Sequence, residues 1–102
     1  MNLTLLTKKV RKVSNQYSKK FGITRDKVWY LLKLQEEMGE LTQAYLSMTG
    51  RGRHKNKTKD ELKHNFEIEV ADVLCHTLLL VDSEKINLKK AVEKKWLKRL
   101  KK

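Results

Sequence analysis

The stretch VWYLLKLQEEMGELTQAYLSM, residues 28–48, carries apolar side chains at Val28, Leu31, Leu34, Met38, Leu41, Tyr45 and Met48. Steps of three and four residues bring them to one side of an α-helix. The same stretch holds Glu36, Glu37 and Glu40 among apolar neighbours, in a chain of formal net charge +12. Carboxylates this close repel one another, and burying them without partners is costly. A lysine, a solvated surface or a metal ion must offset that cost.

On either side of this helix the chain reads as further helices. Leu6, Val10, Val13, Tyr17 and Phe21 recur at helical spacing, so a first helix is predicted from about Thr4 to Lys20, stopped by Gly22. Thr24 is the expected cap of the second helix, Arg25 to Met48. The stretch TGRGRHKNKTKDE, with two glycines and a run of cations, then reads as a basic loop. Thr58 and Glu61 form a capping box, which starts a third helix near Lys59 that runs to about Asp82. Asn87 caps a fourth, with Leu88, Val92, Trp96 and Leu100 on one side. The fold class is all-α: four helices, antiparallel, with the basic loop between the second and third.

The 102 residues suggest one domain, 1–102, with no proline and only four glycines to interrupt helices. Apolar residues at 39% and charged residues at 35% lean polar for a monomer, which predicts apolar surface shared with a second copy. One cysteine, Cys75, excludes an internal disulfide and fits a cytoplasmic protein. The longest mostly apolar run, Val73 to Val81, is too short to span a bilayer, so no membrane partner is expected. The first residues show no basic segment leading into a long apolar core, so no signal peptide is expected. Residues 1–25 hold seven Lys or Arg and no acid, and residues 94–102 hold six and no acid. Such ends attract nucleotides, nucleic acid or acidic surfaces, or are simply solvated.

Glu37 and Glu40 are three apart on the second helix, and Glu69 and Asp72 are three apart on the third. Each pair lies ten or eleven residues from the loop. At 1.5 Å per residue both sit roughly 15–17 Å from the turn, so in a helical hairpin the four carboxylates meet at one height. Converging carboxylates suit a hard divalent cation such as Mg²⁺, which keeps waters and bridges to phosphates. Taken singly, an ExxE reads as a solvated face, and Lys33 offers Glu37 an intrahelical partner.

With its neighbours, the motif Glu36-Glu37-Met38-Gly39-Glu40 followed by Glu69-Val70-Ala71-Asp72 resembles the MazG-like nucleoside triphosphate pyrophosphohydrolases of the all-α NTP pyrophosphatase superfamily. The resemblance covers about residues 28–100. It implies a four-helix core assembled as a homodimer or homotetramer. It also implies Mg²⁺-dependent hydrolysis of nucleoside triphosphates between the α- and β-phosphates, with Mn²⁺ as a substitute. By motif match Glu37, Glu40, Glu69 and Asp72 are the metal ligands. Glu36 is an accessory ligand or, with Glu37, a catalytic group that activates the attacking water.

Candidates for the substrate's phosphates are Lys33, Arg51, Arg53 and Lys55, with Lys95 and Arg99 on the last helix. Trp29 and His76 are candidates for contact with the base, against the commoner interior roles of such residues. Two other readings stand beside the hydrolase. One is a helical nucleic-acid-binding protein using the basic termini, although no nucleic-acid-binding motif is evident. The other is an activity like that of phosphoribosyl-ATP pyrophosphohydrolase.

Overall fold

The computed structural model describes residues 2–53 and 56–100, and within them every regular element is helical. The first helix, α1, spans Leu3–Phe21; Asn2 caps it by accepting from the Leu5 N–H at 2.8 Å. Gly22, at φ 63°, ends it in the left-handed conformation that glycine tolerates without strain.

The second helix, α2, spans Lys27–Met48 and begins two residues later than the sequence suggests. Its cap is Asp26, which accepts from the Trp29 N–H at 2.8 Å, and not Thr24. Both are good capping residues. Capping at Asp26 frees Arg25 to reach back to α1, where its guanidinium donates to Ser14 Oγ and Asn15 Oδ1, both at 2.7 Å.

The third helix, α3, spans Lys59–Ser83. The expected capping box is present: Thr58 Oγ1 accepts from the Glu61 N–H at 3.1 Å, and the Thr58 N–H donates to Glu61 Oε1 at 2.9 Å. The fourth helix, α4, spans Leu88–Lys95 and is capped by Asn87, as expected, but it is shorter than its apolar spacing suggests. Past Lys95 the chain tightens into a 3₁₀ turn, Leu97–Arg99. Trp96 and Leu100 are 66% and 76% exposed, so no packing rewards continuing the helix through them.

Helix α3 is the centre: α2 lies along most of it and α1 crosses its later half, while α4 makes its main contacts with the turn that follows it. Lys27 Nζ donates to the Ser83 carbonyl at 2.8 Å, Trp29 faces His76, and Tyr45 packs tilted against Phe66 at 5.5 Å between ring centres. Partner numbers fall along α3 as they rise along α2. Arg11 of α1 donates two hydrogen bonds to Asp82, at 2.8 and 2.6 Å.

Among the described residues, Leu62, Leu78 and Leu79 are the buried hydrophobic side chains. The apolar stripe of α2 is split. Leu34, Leu41 and Met48 are half-buried, whereas Val28, Leu31, Met38 and Tyr45 stay exposed. The stripe is wider than one partner helix can cover, and α3 takes only one side of it. No helix among the described residues is long and apolar enough to cross a membrane.

Candidate metal centre

Glu37 and Glu40 project from α2 and Glu69 from α3, and one carboxylate oxygen from each lies within 4.8 Å of the others. Matched distances from the loop predict this meeting across the α2–α3 seam. Glu37 is the buried member, at 6% exposure; Glu69 is half-buried and Glu40 exposed. Two oxygens, Glu37 Oε2 and Glu69 Oε2, are buried without a hydrogen-bond partner. Buried carboxylate oxygens almost always accept a hydrogen bond or bind a cation.

Burial, then a hydrogen bond and charge from Glu40, raise the Glu37 carboxyl from 4.5 to about 7. Lys33 opposes the rise and Asp72 adds to it. Glu69 is also raised, by burial first and then by the charges of Glu40 and Asp72. Asp72, one turn beyond Glu69 and half-buried, stands outside the trio of closest oxygens, but its charge is felt by Glu37, Glu69 and Cys75.

Lys33 gives the cluster partial relief. Its ammonium lies 3.4 Å from Glu36 Oε2 and 3.6 Å from Glu37 Oε1. Burial pulls its pKa down, but Glu36, Glu37 and Glu40 together outweigh this and leave it raised. His76 Nε2 lies 3.9 Å from Glu37 Oε1 and gives less help. Its pKa is lowered, by burial first and by Lys33 second, so near neutral pH the ring carries no charge to offset a carboxylate. One lysine among five acids is too few, which leaves room for a cation of higher charge.

A cavity of about 550 Å³ opens beside the cluster, with Glu40 and Glu69 at one end and Arg53 and Lys57 in its wall. Gln43 and Asn65 line it between them. Glycines bring Arg53 there. Gly50 turns the chain at φ 81°, the Arg51 N–H donates to the Leu46 carbonyl at 2.7 Å, and Gly52 passes so close to Ser47 that a Cβ would sit 3.0 Å from its backbone nitrogen. Residues 50–53 are thus folded back on the end of α2.

The sequence candidates divide accordingly. Glu37, Glu40, Glu69, Glu36, Lys33 and His76 come together; Trp29 stands edge-on to His76, at 6.4 Å between ring centres. Arg53 lines the cavity, whereas Arg51 is exposed and does not. Lys95 and Arg99 are exposed, on α4 and the turn after it, away from the cavity lining. Lys55 lies outside the described residues. Sequence reasoning missed Gln43, Asn65 and Lys57. Gln43 is three residues after Glu40 and Asn65 four before Glu69, so the spacing rule that found the acids would have found both amides one turn nearer the loop.

No protein-family model matches this chain, and comparison with curated proteins and with solved structures likewise gave no match.

Proposed function

We propose that the chain is a Mg²⁺-dependent nucleotide pyrophosphohydrolase of the MazG-like kind, cleaving (d)NTP between the α- and β-phosphates to a monophosphate and pyrophosphate. The observation that carries this reading is the pair of orphaned buried oxygens, Glu37 Oε2 and Glu69 Oε2, brought together from two helices beside a cationic cavity. An acidic cluster alone is common; one that keeps two oxygens buried and unsatisfied is built to receive a cation.

Glu37, Glu40 and Glu69, with Asp72 one turn on, would hold the ion. When bound, Mg²⁺ neutralises phosphate oxygens and lowers the pKa of water. Glu36 is exposed at the edge of the cluster and held by Lys33, so it can take the proton of the attacking water. Arg53 and Lys57 stabilise the charge that develops on the departing pyrophosphate. Manganese, with the same preference for oxygen ligands, is the expected substitute.

The same reading covers assembly. Leu31, Met38 and Tyr45 lie in line at seven-residue steps on α2 and are exposed; Tyr45 packs against Phe66, from which Val70 and Leu74 continue in steps of four on α3. This apolar face, across an antiparallel hairpin in a four-helix arrangement, suits a second copy of the chain in a homodimer or homotetramer. The lone thiol suits the cytoplasm.

The test is pyrophosphate release from a panel of NTPs, dNTPs and phosphoribosyl-ATP, with Mg²⁺ or Mn²⁺, beside Asp72→Ala and Glu69→Gln. Metal-dependent release, lost in both variants, is expected. Release that persists in the variants refutes the metal centre. No release from the folded protein, with nucleic-acid binding that falls steeply with salt, would favour the basic termini as the working surface.

A further inference from the structure

We propose that Arg53 and Lys57 measure the length of the phosphate chain: substrate lies along the α2–α3 seam with its phosphate tail toward the loop, and these two cations hold the terminal phosphate. The inference rests on the hydrolase reading and adds the substrate's direction and the group it is selected by.

The seam has an order. Trp29 and His76 stand on the side of the acids farther from the loop, Glu37, Glu40 and Glu69 in the middle, and Gln43 and Asn65 next. Arg53 and Lys57 line the cavity from the loop side. Aromatic rings have a face for a base, carboxylates take a cation, amides donate to phosphate oxygens, and guanidinium and ammonium groups bind dianionic ends.

Length agrees with this order. The seven residues from Glu40 to Ser47 rise about 10 Å along α2. Gly52 touches Ser47, so Arg53 starts near that level and its side chain covers part of the distance back. A phosphate held at the acids therefore leaves room along the seam for further phosphates before the loop cations are reached. The opposite orientation would put an uncharged base against two cations and a charged tail against two aromatic rings.

Both cations are exposed, so their removal spares the core. The experiment compares kcat/KM for a nucleoside triphosphate and the diphosphate of the same base in the parent protein, Arg53→Gln, Lys57→Gln and Lys90→Gln. Lys90→Gln makes the same charge change on α4, remote from the cavity. Neutralising either loop cation should lower the triphosphate-to-diphosphate ratio about tenfold or more, with Lys90→Gln leaving the ratio as it was. A loop pair that changes the preferred base while the ratio stays constant would mean that the base occupies the cavity, and would overturn the proposal. Calorimetry with inorganic tripolyphosphate and Mg²⁺ separates the two readings. Should no nucleotide be cleaved, the hydrolase reading fails on its own. Tripolyphosphate binding then still supports the loop's role if either substitution weakens it about tenfold, and refutes it if neither does.

Discussion

Replacing Glu37 by Gln should make the metal-free protein more stable, and only at high pH. Glu37 is buried, and its carboxyl is raised from 4.5 to about 7 by burial and by Glu40. An unfolded chain releases that proton near the ordinary carboxyl value, while the folded chain keeps it until about 7. Between those values the unfolded state holds fewer protons, so stability falls as pH rises through the window and levels off above it. At 1.36 kcal/mol per pH unit the full cost is roughly 3 kcal/mol. Glutamine keeps the shape and discards the charge. The raised value already includes the opposing pull of Lys33, so the expected gain is the full cost, about 3 kcal/mol.

The assay is urea unfolding of both proteins in EDTA at about pH 4 and about pH 8, where the group is respectively mostly protonated and ionised in both folded and unfolded chains. The difference should be near zero at the lower pH and about 3 kcal/mol in favour of Glu37→Gln at the higher. Adding Mg²⁺ at about pH 8 should stabilise the parent through ligand binding and the variant far less. A variant destabilised equally at both pH values, or stabilised by Mg²⁺ as much as the parent, would show that Glu37 is an ordinary structural carboxyl, and the reasoning would fail.

Two further outcomes follow from the geometry. Gly52→Ala puts a Cβ 3.0 Å from the Ser47 backbone nitrogen, so the loop must shift and carry Arg53 with it; stability should drop by about 1 kcal/mol, and steady-state kinetics should show a several-fold rise in KM for triphosphate. Met38→Glu places a charge in the exposed apolar row of α2. Sedimentation equilibrium should show the parent associated and the variant shifted toward monomer; a monomeric parent at tens of micromolar would refute the shared face.

The helices are legible in the sequence because their punctuation is local. Thr58 with Glu61, Asn87 and Gly22 act within a turn of themselves, and each does in the structure what its chemistry predicts. The start of α2 is ambiguous in sequence because Thr24 and Asp26 are both good caps. Arg25 makes the choice, and its partners Ser14 and Asn15 lie on another helix. The length of α4 is hidden for a related reason: Trp96 and Leu100 continue the spacing, but spacing carries no information about whether a partner surface exists. In the candidate site the acids are legible because two helices with matched distances from one loop fix their height. Lys57 is not, since it lies just before the Thr58 cap of α3, where helical spacing no longer says which way a side chain points.

The charge pattern then has a single physical account. A partly buried carboxylate cluster is a standing cost to the fold, and Lys33 meets only part of it. Lysines brought closer would neutralise the acids and abolish the affinity for a cation. The chain instead keeps its excess of cations on α1, on α4 and in the basic loop, most of them away from the cluster. At that range they do little for Glu37. They still set a positive field that concentrates polyanions near the cavity and fades with added salt. On the proposed reading, net charge governs how fast substrate arrives, and the local acids govern what happens to it. Raising ionic strength at fixed Mg²⁺ should therefore lower kcat/KM and leave kcat nearly constant.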